Sequence, residues 1–308
     1  MVSVNKKIKA TFEALRPIQW IKNLSLFAAV ILNGQLFNFP IFYKSLLGFV
    51  VFCLLSSSSY LINDIVDVEK DRLHPVKKFR PIARGALTES SAIFTAFILL
   101  FLGLFISVFI GFGFFGISLF FILMQYSYSF FLKKKAVIDI IGIALFFIIR
   151  AYAGELATGY HLPVWIMLAV IFLSLFLASG KRRSELRGSG TKTRSSLSGY
   201  SDNLLDFYTT MFAVCTLVAY AMFTFFEEPI TFDGLIHHFL LDNFPKALGR
   251  KWYMVTLLPV IFGIMRYGQV IYEMQEGERP EKVIATDIPL ILSIFFWGMT
   301  MITIIYVI

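Results

Sequence analysis

Charge is scarce in this chain. Asp, Glu, Lys and Arg make up 16% of its 308 residues, against 57% hydrophobic ones, which excludes an ordinary soluble globular protein. Cysteine is nearly absent. Cys53 and Cys215 both lie within apolar runs and fit no pairing or ligand spacing, so a disulfide framework and a thiolate metal site are excluded. Histidine is almost as sparse, with four residues. His74 stands alone and reads as a loop hydrogen-bonder; His237 and His238 are adjacent, point apart on any regular structure, and receive no metal role. No low-complexity linker interrupts residues 1–308, which read as one domain. A cleavable signal pattern is also missing at the N-terminus. There Ile8, Phe12 and Leu15 line one face beside Lys6, Lys7 and Lys9, the pattern of an interfacial helix.

What the chain has is hydrophobic length. Aromatic content is 17% and mean hydropathy +0.75. A membrane-crossing helix needs about 20 apolar residues. Nine such segments are placed, near 20–37, 43–62, 90–110, 112–132, 137–157, 163–179, 204–226, 252–271 and 288–307. The expected fold is therefore an all-α, polytopic membrane bundle of nine transmembrane helices. The net charge of +8 invites a nucleic-acid reading, but its placement answers to topology. Of the 28 Lys and Arg residues, 23 fall in the N-terminus and alternate gaps, at 1–22, 70–84, 133–135, 181–194 and 266–282. The positive-inside rule puts that face and the N-terminus in the cytoplasm, and an odd span count puts the C-terminus outside. Trp20 reads as an interfacial anchor, and Ser56–Ser59 as small residues for close helix packing. Arg150, alone at membrane depth, should face a polar cavity or snorkel outward, and snorkelling is the expectation. Asp139, in a first helical turn, either pairs with Lys135 or joins a site. The polar stretch that follows Leu186, as far as Asn203, is expected to be mobile, and the external stretch 227–250 to hold a short interfacial helix.

The polar residues with a pattern begin where the second segment ends. In Asn63-Asp64-Ile65-Val66-Asp67-Val68-Glu69-Lys70-Asp71-Arg72, the three aspartates are spaced i, i+3, i+7 and would share one helical face. Such a stripe repels itself unless a cation sits in it. Oxygen-only donors favour a hard ion, and Mg²⁺ held by one or two carboxylates plus substrate phosphates is the usual arrangement. The alternative is a solvated helix end whose acids pair with Lys70 and Arg72. The basic continuation through Lys77, Lys78, Arg80 and Arg84 favours a diphosphate site, because metal and cations then share the phosphate charge.

Asn-Asp-x-x-Asp-x-x-x-Asp at the cytoplasmic end of a second span resembles the UbiA superfamily of membrane prenyltransferases. That resemblance implies a UbiA-like helical bundle and two acidic motifs, after spans two and six, that hold Mg²⁺ and a prenyl diphosphate. The first motif matches at Asn63, Asp64, Asp67 and Asp71. In place of the second stands Lys181-Arg182-Arg183-Ser184-Glu185. Several stretches are instead similar to the decaprenyl-phosphate phosphoribosyltransferase branch. They are Arg16-Pro17-x-Gln19-Trp20-x-Lys22-Asn23, the loop from Asn63 through His74-Pro75 to Arg80-Pro81-Ile82-Ala83, and Tyr126-Ser127 with Leu132-Lys133. Arg150-Ala151 with Gly154, Lys181-Arg182-Arg183-x-Glu185-Leu186, and Arg266-Tyr267 complete the set.

The branch implies Mg-dependent transfer of phosphoribosyl from phosphoribosyl pyrophosphate to a polyprenyl phosphate, in an inner membrane, feeding cell-wall glycan precursors. On that reading Asp64, Asp67 and Asp71 hold the metal and pyrophosphate, with Asn63 orienting them. Lys22, Lys77 and Arg80 bind donor phosphates. Lys133, Lys181, Arg182 and Arg183 bind the 5-phosphate or the lipid phosphate. Glu185 orients the cations or holds ribose hydroxyls, and Tyr126 lines the ribose pocket. A homo-oligomer is compatible with this scheme. The alternative enzyme is a prenyltransferase that alkylates an aromatic or lipid acceptor. A transporter for an anionic metabolite would carry polar residues through its span centres, whereas here they gather at one face.

Overall fold

The structure is a computed structural model describing residues 4–73, 76–189, 195–228, 235–244, 246, 249–274 and 277–307. His74, Pro75 and the His237 side chain lie outside the described residues, as do 190–194 of the stretch expected to be mobile.

Among the described residues every regular element is helical. The order is α1 (Val4–Ala14), a 3-10 segment (Pro17–Phe27) running into α2 (Ala28–Leu32), α3 (Phe39–Val66), α4 (Val68–Leu73), α5 (Glu89–Ile110) and α6 (Phe112–Phe130). Then follow α7 (Ile138–Thr158), α8 (Val164–Ser189), α9 (Asp202–Phe226), α10 (Leu235–Asn243), α11 (Leu257–Gln269), α12 (Pro280–Thr286) and α13 (Ile288–Tyr306). Among the described residues eight helical stretches are long and apolar enough to cross a membrane, counting α11 with its flanking turns as Trp252–Met274. The first expected segment is the shorter helix Pro17–Leu32, opened by Pro17 at a position where a missing N–H costs nothing. α10 lies within 227–250, where a short helix was expected.

Packing follows residue size. α5 turns Ala92, Ala96, Gly103 and Ser107 inward, and Gly103 sits directly against Leu55 of α3. Its opposite face exposes Phe97, Phe101, Phe105 and Phe109 at i, i+4 spacing, the side a bilayer would cover. One core joins Leu26, Phe52, Leu55, Phe114, Phe121 and Ile149, so α3, α6 and α7 close around the Pro17–Leu32 segment. A second joins Ile166, Tyr220, Phe223, Tyr253 and Ile304 across α8, α9 and α13. Gly154 of α7 lets the Leu26 carbonyl come so near that any Cβ there would collide with it. The serines of α3 also bond across helices, Ser58 Oγ donating to the Ala96 carbonyl at 2.8 Å and Ser57 Oγ to the Leu15 carbonyl at 3.0 Å. Trp20 is held by Ser57 in turn, at 3.0 Å.

Arg150 corrects one expectation. It does not snorkel: it is 2% exposed, in the middle of the bundle. Nε donates to Asn23 Oδ1 at 2.6 Å, Nη1 to the Phe146 carbonyl at 2.6 Å and Nη2 to Ser56 Oγ at 3.4 Å, while the Phe121 ring lies 4.9 Å away. Acceptors from three helical segments make burial cheaper than reaching for the interface.

Candidate active site

The ends of α3, α6 and α8, the start of the Pro17–Phe27 segment and the short α12 carry the charged side chains that face one another. The acidic stripe does not lie on one helix. α3 stops at Val66, Asp67 takes φ −97° and ψ 6°, and α4 restarts at Val68. The break divides the aspartates. Asp64 and Asp71, 2% and 4% exposed, converge on the Nη1 of Arg80 at 3.0 and 2.5 Å, and Arg16 closes on Asp64 as well. Asp67 turns the other way, to Lys133 Nζ at 2.9 Å, which also reaches Asn63 Oδ1 at 3.4 Å. Burial pushes the Asp71 carboxyl above its usual value, Arg80 pulls it back, and the neighbouring Asp64 adds to the rise. Lys77 acts on Asp71 from nearby. Arg72 pairs with exposed Glu69 and takes no part.

The cation run on α8 is mostly neutralised from within the protein. Arg182 is fully buried and meets Asp139 at 2.7 Å, Glu185, and the Tyr128 hydroxyl at 2.8 Å. Asp139 also accepts from Ser196 Oγ at 2.9 Å and from the Tyr200 hydroxyl at 2.5 Å. Asp139 therefore does not pair with the exposed side chain of Lys135; a buried guanidinium and two hydroxyls outcompete a solvated ammonium. Ser196, Leu197 and Tyr200 are buried, so this part of the stretch expected to be mobile is tied down. Burial beside Asp139 holds the Tyr200 phenol well above its usual value, which keeps it a donor. Arg183 pairs with Asp206, donates to the Ile271 carbonyl at 3.1 Å and lies 3.9 Å over the Tyr272 ring. Lys181 is different. Among the described residues it makes no hydrogen bond or ion pair, though the charges of Glu185, Arg182, Glu281 and Lys22 act on it.

Lys22 stands 3.1 Å from Glu281 of α12 and donates to Gln19 at 3.2 Å. Glu281 is 6% exposed. Burial works to raise its carboxyl, but Lys22 and Lys181 outweigh that and hold it below the usual value. Tyr126 lies elsewhere, packed at the edge of the Phe52 core beside Ser58. Two residues on, Tyr128 is the tyrosine that reaches the cations.

No group of three or more His, Cys, Asp or Glu side chains stands at metal-holding spacing among the described residues. The donor set nonetheless suits a hard ion. Two buried carboxylates converge on one cationic atom, which matches the one or two carboxylates that Mg²⁺ takes from a protein when phosphates supply the rest.

The model of the UbiA prenyltransferase family matches residues 24–240. The chain belongs to that family. Among curated relatives of this UbiA chain, the decaprenyl-phosphate phosphoribosyltransferase of Mycolicibacterium smegmatis is 37% identical over 94% of the chain and 90% of the relative. The protein of that name from Corynebacterium glutamicum is 35% identical over 96% and 86%. A solved UbiA homolog from Archaeoglobus fulgidus, bound to DMAPP and Mg²⁺, shares the fold at TM-score 0.65 and 19% identity, covering 96% of this chain and 99% of that one.

Sequence reasoning about this UbiA chain missed four partners: Arg16, Tyr128, Asp206 and Glu281. Arg16 had a local signal, since it opens the Arg-Pro-x-Gln-Trp stretch, and it takes φ 56°, rare for a residue with a side chain. Glu281 had none. It sits among the charges of the stretch before α13, and only the docking of α12 brings it to Lys22.

Proposed function

We propose that this membrane enzyme transfers 5-phosphoribosyl from phosphoribosyl pyrophosphate to a polyprenyl phosphate, releasing pyrophosphate, at the cytoplasmic face of an inner membrane, with the whole chain as one catalytic unit. What carries the reading is the cationic α8 run where the resemblance leads one to expect a second acidic motif. Lys181 is the open member of that run, and it suits an anion rather than a metal. The names of the curated relatives point the same way.

Asp64, Asp67 and Asp71 would hold Mg²⁺ with the donor pyrophosphate, and Asn63 would orient them. Bound there, Mg²⁺ would neutralise charge building on the leaving group. Arg80, now clasped by two carboxylates, would turn with Lys22 and Lys77 to the donor phosphates. Lys133, Lys181, Arg182 and Arg183 would serve the 5-phosphate and the lipid phosphate, with Glu185 orienting Arg182. Cleavage at ribose C1 develops positive character, which the arriving phosphate oxygen quenches as the C1–O bond to pyrophosphate breaks. An ionised acceptor phosphate needs no general base, consistent with the scarcity of histidine.

Membranes carrying the protein, given labelled phosphoribosyl pyrophosphate and a polyprenyl monophosphate, should form an organic-extractable labelled lipid. The product should vanish with EDTA and in Asp67→Asn. No labelled lipid from folded protein would overturn the assignment, and turnover of a prenyl diphosphate with an aromatic acceptor would replace it with prenyl transfer.

A further inference from the structure

Three buried oxygens near Lys181 make no hydrogen bond: Ser184 Oγ, the Tyr267 hydroxyl and Glu281 Oε2. Their residues are only 3%, 2% and 6% exposed. Oε2 is the Glu281 atom paired with Lys22 at 3.1 Å, without hydrogen-bond alignment. The three come from α8, α11 and α12, which meet at one place. Gly180 of α8 lies against Ile271 and the Tyr267 ring, and Gly277, just before α12, lies against Ser184 and Ile271. The Tyr267 hydroxyl feels the Glu281 carboxylate, which in turn feels Lys22 and Lys181.

Buried polar atoms are nearly always paired, and two unpaired hydroxyls from two elements, beside a buried carboxylate whose ion-pair partner is Lys22, call for a shared partner. The chemistry of the set describes it. A carboxylate accepts, two hydroxyls donate or accept, and two ammonium groups flank them. A vicinal diol carrying a phosphate satisfies all of these; an apolar lipid tail or an aromatic ring would leave the oxygens unpaired. Glu185 is committed to Arg182, which leaves Glu281 as the carboxylate able to take a hydroxyl.

We propose that Glu281, Ser184 and Tyr267 form the subsite that reads the sugar hydroxyls of the donor, with Lys22 and Lys181 holding a phosphate beside it. The proposal rests on the phosphoribosyl reading and extends it to the last cytoplasmic loop. A donor lacking a hydroxyl then leaves buried groups unpaired and is rejected on that ground.

The test uses the full chain in detergent, with wild type, Glu281→Gln, Glu281→Asp and Ser184→Ala. Each is assayed for turnover of phosphoribosyl pyrophosphate and for inhibition by ribose 5-phosphate, its 2-deoxy and 3-deoxy analogues, and inorganic phosphate. Wild type should favour ribose 5-phosphate over a deoxy analogue. Glu281→Gln should lose that preference by on the order of tenfold, the loss of one hydrogen bond to a charged group. Its donor KM should rise more than its kcat falls, inhibition by inorganic phosphate should stay unchanged, and Glu281→Asp should recover part of the preference. Ser184→Ala should weaken the same preference, and it serves as the probe if the Glu281 variants fail to fold. Unchanged ribose-to-deoxyribose ratios in folded variants that still turn over the donor would overturn the subsite alone. No turnover by folded wild type would overturn the phosphoribosyl reading and the subsite with it.

Discussion

Arg150 is the residue whose cost is easiest to see. Its guanidinium is buried with a side-chain amide, a hydroxyl, a backbone carbonyl and an aromatic face, and among the described residues it has no carboxylate ion pair. The fork geometry pays for this by tying Asn23, Ser56 and Phe146 together from three segments. A lysine cannot do so, because one ammonium on a flexible stem does not serve three acceptors so arranged. Arg150→Lys should therefore leave at least one buried acceptor unpaired, at a cost of about 1–3 kcal/mol. Thermal unfolding in detergent should show a lower midpoint. A midpoint equal to wild type would mean that the bonds to Asn23 and Phe146 contribute nothing net. Sequence alone gave the position of Arg150 but not its direction, since the acceptors lie 127 and 94 positions away at Asn23 and Ser56.

Among the elements, the buried Asp139 side chain joins three. It stands in the first turn of α7, holds Arg182 of α8, and pins the Ser195–Gly199 turn and Tyr200. Asp139→Asn keeps the shape but loses an acceptor and the charge opposite Arg182. Limited proteolysis should then cut near Ser195–Gly199 where wild type resists. Donor KM should rise by roughly tenfold with a smaller change in kcat if, as proposed, Arg182 binds a phosphate and Asp139 acts by positioning it. Equal cleavage rates would show that the turn is held by other contacts. The helices themselves were readable because membrane spans declare themselves by hydrophobic length. The break at Asp67 was not, because Asn63 to Asp71 carries helical spacing throughout. What divides it is tertiary, with Arg80 drawing Asp64 and Asp71 one way and Lys133 drawing Asp67 another.

At the scale of the whole molecule, charge is segregated from the apolar bundle, and this segregation was legible from the placement of Lys and Arg. Residues with a local motif, such as Asp64, Asp71, Lys133 and Arg182, could be singled out from the sequence, and the structure brings each into an ion pair there. Glu281 and Asp206 could not, because each enters the charged end from an element with no motif of its own. The same end has a feature whose consequence is kinetic. Asp64 and Asp71 are matched by Arg80 and Arg16, Asp67 by Lys133, Asp139 and Glu185 by Arg182, Asp206 by Arg183, and Glu281 by Lys22. Charges cancelled at contact project little field into solution, so a polyanionic donor is drawn in weakly from a distance and must exchange partners after it arrives. Raising KCl from about 50 to about 300 mM should change the donor association rate by no more than about threefold, well short of the steep fall of a steered encounter. Stopped-flow binding at several salt concentrations would measure it. A steep salt dependence would mean that these pairs open before the donor arrives, and the slow step would then belong to the empty enzyme.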